Sequence, residues 1–228
     1  MKRIYYPHEV TNTNIITGAE QHYIKNVLRL DAGSLIELLT PAGLAVVELA
    51  DVGKREITAT LQSMRPLSLL DYSFTVFQCV LKREYMDTVM EKYTELGVTR
   101  IVPVASARSV GDVKDSTLTR YREIAKAAAL QSERDQLPEI TELIKIKQIP
   151  AEPEAESFLF YEREVQKSKP QISGRNLRMI IGPEGGFTDE EVALLTQQGF
   201  QCVSPLENIL KAETAAVVFA GWLRIELG

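Results

Sequence analysis

An apolar run that ends on bare backbone constrains this chain more than any other segment. Leu177-Arg178-Met179-Ile180-Ile181 leads into Gly182-Pro183-Glu184-Gly185-Gly186, and Phe187-Thr188-Asp189-Glu190-Glu191 follows. The pattern predicts a strand, a tight glycine turn and a capped helix. Thr188 and Glu191 have capping-box spacing, and Gly199 predicts the helix end near Gln198. Glycine has no Cβ, so such a turn can bring backbone directly against a ligand.

The residues narrow the choice of ligand. A phosphate-cradling loop needs Lys-Ser/Thr after its glycines, and a dinucleotide fold needs G-x-G-x-x-G with a later acidic residue. Neither spacing occurs, the loop has no lysine, and Glu184 would repel an anion. A ligand with positive charge and hydrogen-bonding edges suits the loop better, and S-adenosylmethionine is one. A plain β-α turn that needs glycine for its conformation fits the same residues equally well.

Strands alternate with helices downstream of residue 73. Phe74–Val80, Arg100–Val104, Phe158–Tyr161, Leu177–Ile181 and Phe200–Val203 read as strands. Met86–Leu96 reads as a helix closed by Gly97, Leu118–Ser132 as one capped by Asp115 or Ser116, and Thr214–Leu227 as a third. This alternation predicts an α/β domain with a largely parallel sheet. Ligands bind beyond the carboxyl ends of such strands, so the turns after Tyr161, Ile181 and Val203 should share a rim.

Upstream, Leu35–Leu39, Ala45–Leu49 and Glu56–Leu61 read as strands. One helix precedes them: Thr17 and Glu20 have capping-box spacing, and Tyr23, Ile24, Val27 and Leu28 form an apolar stripe. Residues 64–73, with Pro66, read as a linker. The expected organisation is a small β-rich domain over 1–70 and an α/β domain over 73–228. Gln166–Arg175 is polar and reads as a flexible connection.

The net charge of −5 argues against nucleic acid only on average, because residues 136–228 hold 9 basic against 14 acidic side chains. RNA affinity needs a local basic face. Arg3, Lys25, Arg29, Lys82, Arg83, Arg108 and Arg134 could build one, extended by Lys2, Arg120 and Arg122; each could equally be solvated surface charge. No apolar run approaches a membrane span and Met1–Pro7 lacks a signal peptide's apolar region, so a cytoplasmic protein is expected. Cys79 and Cys202 lie far apart in apolar runs and read as buried free thiols, with no metal site.

The chain resembles the bacterial 16S ribosomal RNA uridine N-3 methyltransferases of the SPOUT (trefoil-knot) superfamily over essentially its whole length. The resemblance rests on His22 with Val27-Leu28-Arg29, Lys82 with Met86-Asp87, Glu95-Leu96-Gly97-Val98, Gln131-Ser132 with Arg134, Leu137-Pro138-Glu139-Ile140, the Gly182–Gly186 loop, and Ile209-Leu210 with Glu213-Thr214-Ala215. It implies a PUA-like RNA-binding barrel followed by a trefoil-knotted, largely parallel sheet. It also implies methyl transfer from S-adenosylmethionine to N-3 of a decoding-centre uridine near the 3′ end of 16S rRNA in the small ribosomal subunit, by a homodimer.

By position, the resemblance assigns cofactor binding to Leu159, Phe160 and Tyr161, to Ile181, Gly182, Pro183, Glu184, Gly185 and Gly186, and to Leu206, Ile209, Leu210, Lys211, Glu213, Thr214 and Ala215. Lys211, Glu213 and Asn208 are the catalytic candidates. Ile209 and Leu210 could instead be core, and Glu213 and Thr214 could simply begin a helix. The family pattern Gly-x-Arg-Ile-Leu-Arg is altered here: Leu206, Asn208 and Lys211 occupy the glycine and arginine positions. Lysine keeps the charge but loses the planar bidentate fork. Two other readings follow, a related methyltransferase with a different RNA site and a non-catalytic RNA-binding or assembly protein. Small residues on one face of the last helix, with Ala216, Val217, Ala220, Leu223 and Leu227, suit either a dimer contact or a monomer core.

Overall fold

The computed structural model describes residues 1–110, 113–163 and 169–228. Packing divides it into two compact units: Met1–Leu69 with Ala129–Gln136, and Leu70–Ala128 with Leu137–Gly228.

The first unit contains β1 (Lys2–Tyr5), β2 (Thr13–Thr17), α1 (Gly18–His22), a π-helical turn (Tyr23–Val27), β3 (Leu35–Thr40), β4 (Gly43–Val52) and β5 (Glu56–Arg65). The strands form one sheet in the order β1-β3-β4-β5-β2. Only the β1–β3 pairing is parallel. Its core is aliphatic, with Ile16, Ile24, Ile36, Leu38, Val47, Leu49 and Ile57 buried.

Several expectations change here. β1 and β2 are too short and polar to stand out in sequence, yet β2 turns Asn14 and Ile16 inward in strict alternation. Thr17 precedes α1 but its hydroxyl makes no capping bond. The helical stripe is not uniformly buried: Leu28 N–H donates to Tyr23 O, five residues back, at 2.9 Å. That wider turn keeps Ile24 inside and leaves Tyr23 and Val27 exposed. Met64 and Arg65 continue β5 rather than opening a linker. Residues 129–136 join this unit because Asp135 accepts from both Arg65 Nη atoms (2.5 and 2.9 Å) and from Ser68 N–H (2.9 Å). The Arg65 guanidinium holds the Asp135 carboxyl down to about 2.

The second unit contains β6 (Ser73–Cys79), α2 (Arg83–Glu95), β7 (Arg100–Ala105), most of α3 (Asp115–Gln131), β8 (Glu139–Ile140), β9 (Ile144–Lys145), β10 (Glu156–Phe160), β11 (Asn176–Ile181), α4 (Asp189–Gln197), β12 (Gln201–Val203) and α5 (Ala212–Leu227). The sheet order is β12-β10-β11-β6-β7-β8, with β9 also on β7. Every pairing is parallel. Helices cover both faces, which is why β6, β10 and β11 read as continuous apolar runs. One face packs Phe74, Val76, Met179 and Ile181 with α2 and α5; the other packs Phe77, Leu159, Ile180 and Phe200 with Leu195 of α4.

Gly97 does close α2, with φ +83 and its N–H donating to Thr94 O. α3 starts at Asp115, so Asp115 and Ser116 lie inside the helix rather than capping it. α5 starts two residues before the expected Thr214. Cys79 is buried, and burial pushes its thiol up to about 12; Cys202 is only half-buried. Residues 166–168 of the polar connection lie outside the described residues. Its later part is tied down: the N–H groups of Ser173 and Gly174 both donate to Glu156 Oε1 at 3.0 Å. Among the described residues, no helix is long and apolar enough to cross a membrane, and no cluster of His, Cys, Asp and Glu could hold a metal.

Candidate functional site

The parallel register sets Val203, Phe160, Ile181 and Gln78 side by side across four strands. The chain leaves β12, β10 and β11 from this row, so their following turns share one rim, as the strand order requires. They enclose a cleft of about 330 Å³. One wall is Gly182–Phe187 without Gly185, another is Val203–Ala215 without Glu207 and Thr214, and Phe160, Tyr161 and Glu162 complete the lining.

The structure thus gathers most of the cofactor candidates: Phe160, Tyr161, Ile181, Gly182, Pro183, Glu184, Gly186, Leu206, Ile209, Leu210, Lys211, Glu213 and Ala215 all line the cleft, as does Asn208. Three do not. Leu159 points to the opposite face of the sheet, because adjacent strand residues alternate sides. Thr214 is exposed on α5 outside the lining. Gly185 turns its missing side chain toward Arg108: a Cβ there would lie 3.1 Å from Arg108 Cβ.

The glycine loop is held from several directions. Gly186 N–H donates to Pro183 O at 2.9 Å, closing a tight turn with Gly186 at φ +68. Gly182 lies against the buried Phe187 ring, where a Cβ would come within 3.0 Å. Glu184 Oε1 accepts from Lys82 N–H at 3.0 Å, fastening the loop to the start of α2. The capping box forms as its spacing predicts: Thr188 N–H donates to Glu191 Oε2, and Glu191 N–H donates to Thr188 Oγ1. Glu191 is buried and also accepts from Ala107 N–H at 2.7 Å, a bond that no local pattern could reveal.

The opposing wall differs. Pro205–Leu210 makes no hydrogen bond or ion pair among the described residues, and Leu206 and Ile209 are 42% and 76% exposed. Lys211 is the N-cap of α5 without a side-chain capping bond, and Glu213 lies in the first turn. Below, Phe160 and Phe219 stack at 4.0 Å. Tyr85, Glu162, Phe187, Ser204 and Phe219 also line the cleft, although sequence alone did not single them out. Burial raises the pKa of the Tyr161 hydroxyl, and Asp189 adds to it.

The basic candidates divide between the two units. Lys82 lines the cleft, and Arg83 is exposed beside it on α2. Arg108 donates from Nη1 to Gly185 O (2.9 Å) and Phe187 O (3.2 Å). In the first unit, Arg3 pairs with Glu37 at 2.8 Å and has a side chain only 5% exposed. Its Nη1 also donates to Arg134 O at 3.3 Å. Lys25 donates to Val52 O and Gly53 O. Arg29 is exposed with φ +54, a left-handed conformation uncommon outside glycine.

An RNA methyltransferase domain model matches residues 69–224, and an RNA methyltransferase PUA domain model matches residues 16–62. The chain is 31% identical to ribosomal RNA small subunit methyltransferase E of Bacillus subtilis, over 91% of this chain and 88% of that protein. It is 26% identical to the protein of the same name from Rickettsia conorii, covering 98% and 95%. A crystal structure of ribosomal RNA small subunit methyltransferase E from Neisseria gonorrhoeae, described as bound to S-adenosyl methionine, superposes with a TM-score of 0.87 at 25% identity, over 99% of this chain and 98% of that one. With the model covering most of its length, the chain belongs to the RNA methyltransferase family, in the form that carries a PUA domain.

Proposed function

We propose that the chain is an S-adenosylmethionine-dependent methyltransferase of small-subunit ribosomal RNA, and that its acceptor is N-3 of a decoding-centre uridine near the 3′ end of 16S rRNA. The observation that carries this reading is the cleft beyond Phe160, Ile181 and Val203 in a chain of this family. The names of the B. subtilis and R. conorii relatives, and the S-adenosyl methionine in the N. gonorrhoeae structure, support it.

The residues present fit such a donor. The volume falls in the range of about 300–1,000 Å³ usual for small-molecule sites. Glu162 offers a carboxylate to cationic groups, Lys82 offers counter-charge to a carboxylate, and Ile209 and Leu210 offer apolar cover to a purine. S-adenosylmethionine would supply a methyl group already activated by its sulfonium sulfur, so the protein's main task is positioning. Glu213 would accept the imide proton. Lys211 and Asn208 would hold the negative charge that spreads to the uracil oxygens. The acceptor base would have to leave any stack to reach the cleft.

In this reading the first unit is the RNA-binding module and the second the catalytic one, along a trefoil-knotted path, in the cytoplasm. A homodimer belongs to the same reading. Ala216, Ala220, Leu223 and Leu227 are spent on the monomer core, but α5 still presents Val218 at 44% and Ile225 at 77% exposure.

Labelled methyl transfer to small ribosomal subunits from cells lacking the protein, followed by nucleoside analysis, tests the reading. Labelled 3-methyluridine is the expected product. Another labelled nucleoside would move the activity to a different RNA site, and RNA binding without transfer would make the chain an assembly protein.

A further inference from the structure

Arg108 stands on the far side of the glycine loop from the cleft. Its Nη1 donates to both Gly185 O (2.9 Å) and Phe187 O (3.2 Å), while its aliphatic stem covers the α-carbon of Gly185. Neighbouring bonds hold the segment that carries it. Ala107 N–H donates to buried Glu191 at 2.7 Å, and the Ser106 and Ser109 hydroxyls bond each other at 2.8 Å. Arg108 itself is absent from the cleft lining. Resting on the donor-binding reading above, we infer that Arg108 is a positioning residue for the methyl donor: it fixes the Gly185 and Phe187 carbonyls on the rear of the loop and so presets the backbone that faces the cleft.

The chemistry favours this role over RNA contact. A carbonyl is an acceptor only, and two of them converging on one nitrogen need a strong shared donor. Without that donor the two oxygens can rotate toward solvent, and the loop between Pro183 and Phe187 loses its fixed orientation. The loss would fall on donor affinity. RNA affinity and the transfer step at saturating donor would be largely unaffected.

The test is calorimetric titration of S-adenosylmethionine into the full chain, with steady-state transfer to small ribosomal subunits, for wild type, Arg108→Met and Arg108→Lys. Methionine keeps the packing on Gly185 and removes the donor. The expected result for Arg108→Met is a dissociation constant raised roughly tenfold, with kcat at saturating donor and KM for the subunit near wild type. Arg108→Lys should recover most of the affinity, because one ammonium can serve both carbonyls. If Arg108→Met does not fold, Gly185→Ala replaces it. The new methyl group would press on the Arg108 stem, and donor affinity should fall in the same selective way. A raised KM for the subunit with unchanged donor affinity would overturn the inference and assign Arg108 to RNA. Unchanged behaviour of the variants beside a wild type that binds donor would overturn it alone. A wild type that binds no donor would overturn the functional reading and the inference with it.

Discussion

The two walls of the cleft are built on opposite principles. Gly182–Phe187 is fastened by Glu184 to α2, by Arg108 from behind, by its own Gly186–Pro183 turn and by the Phe187 ring in the core. Pro205–Leu210 has no such bond among the described residues and exposes Leu206 and Ile209. The first wall is complete without a ligand and offers backbone groups. The second offers apolar side chains, Leu206 and Ile209, that are left exposed and that a ligand can bury. Preorganisation lowers the ordering cost of binding, so the first wall should set where the donor lies and the second should add contact area.

Substitutions separate these contributions. Phe187→Ala should have the largest effect, because it removes a buried ring that anchors the braced wall: a loss of about 3–5 kcal/mol in denaturant unfolding, together with loss of donor binding. A change below about 1 kcal/mol would mean that the ring does not anchor that wall. Glu191→Ala removes the acceptor of both the Thr188 N–H in the capping box and the Ala107 N–H, while the Thr188 hydroxyl still caps the helix. Unfolding should show a cost of about 1–3 kcal/mol, and donor affinity should weaken in parallel. Stability loss with unchanged affinity would uncouple the brace from the cleft.

Lys211→Met touches the end of the second wall. Donor affinity should stay within a few-fold while turnover falls by at least roughly tenfold, since a cation near developing charge acts mainly in the transition state. Unchanged turnover would remove Lys211 from the chemistry. Ile209→Ser should be the mildest. Stability should move by less than roughly 0.5 kcal/mol at so exposed a position, and donor affinity should fall about fivefold, as for losing one partly buried aliphatic contact. A stability loss above about 1 kcal/mol in the variant would show that Ile209 already packs in the free chain.

The braced wall was legible in sequence because its signals are local. The glycine turn closed by Gly186, the Thr188–Glu191 pair and Gly199 each act within four residues, and all three appear as expected. The shared rim also followed, since parallel strands align their ends: the turns expected after Tyr161, Ile181 and Val203 leave a row formed by Phe160, Ile181 and Val203. What stayed hidden depends on distant partners. Arg108 looked like surface charge because Gly185 lies 77 residues away. Arg3 looked the same until Glu37 and Asp135 closed around it. Arg178 interrupts the otherwise apolar run of β11. It is fully buried, with its guanidinium 5.1 and 4.8 Å from the Phe77 and Phe200 ring centres and an Nη2 bond to Pro150 O. Burial lowers the pKa of that guanidinium. The π-helical turn at Tyr23–Val27 was missed because its five-residue hydrogen bonds leave no distinctive spacing of apolar residues.

A crystal structure of the chain soaked with S-adenosylmethionine tests the central claim most directly. The account predicts the nucleoside held between Gly182–Gly186 and Leu206–Lys211, its adenine against Ile209 and Leu210, with Arg108 still on the Gly185 and Phe187 carbonyls. Density for the nucleoside elsewhere, or a cleft left empty at saturating ligand, would contradict it.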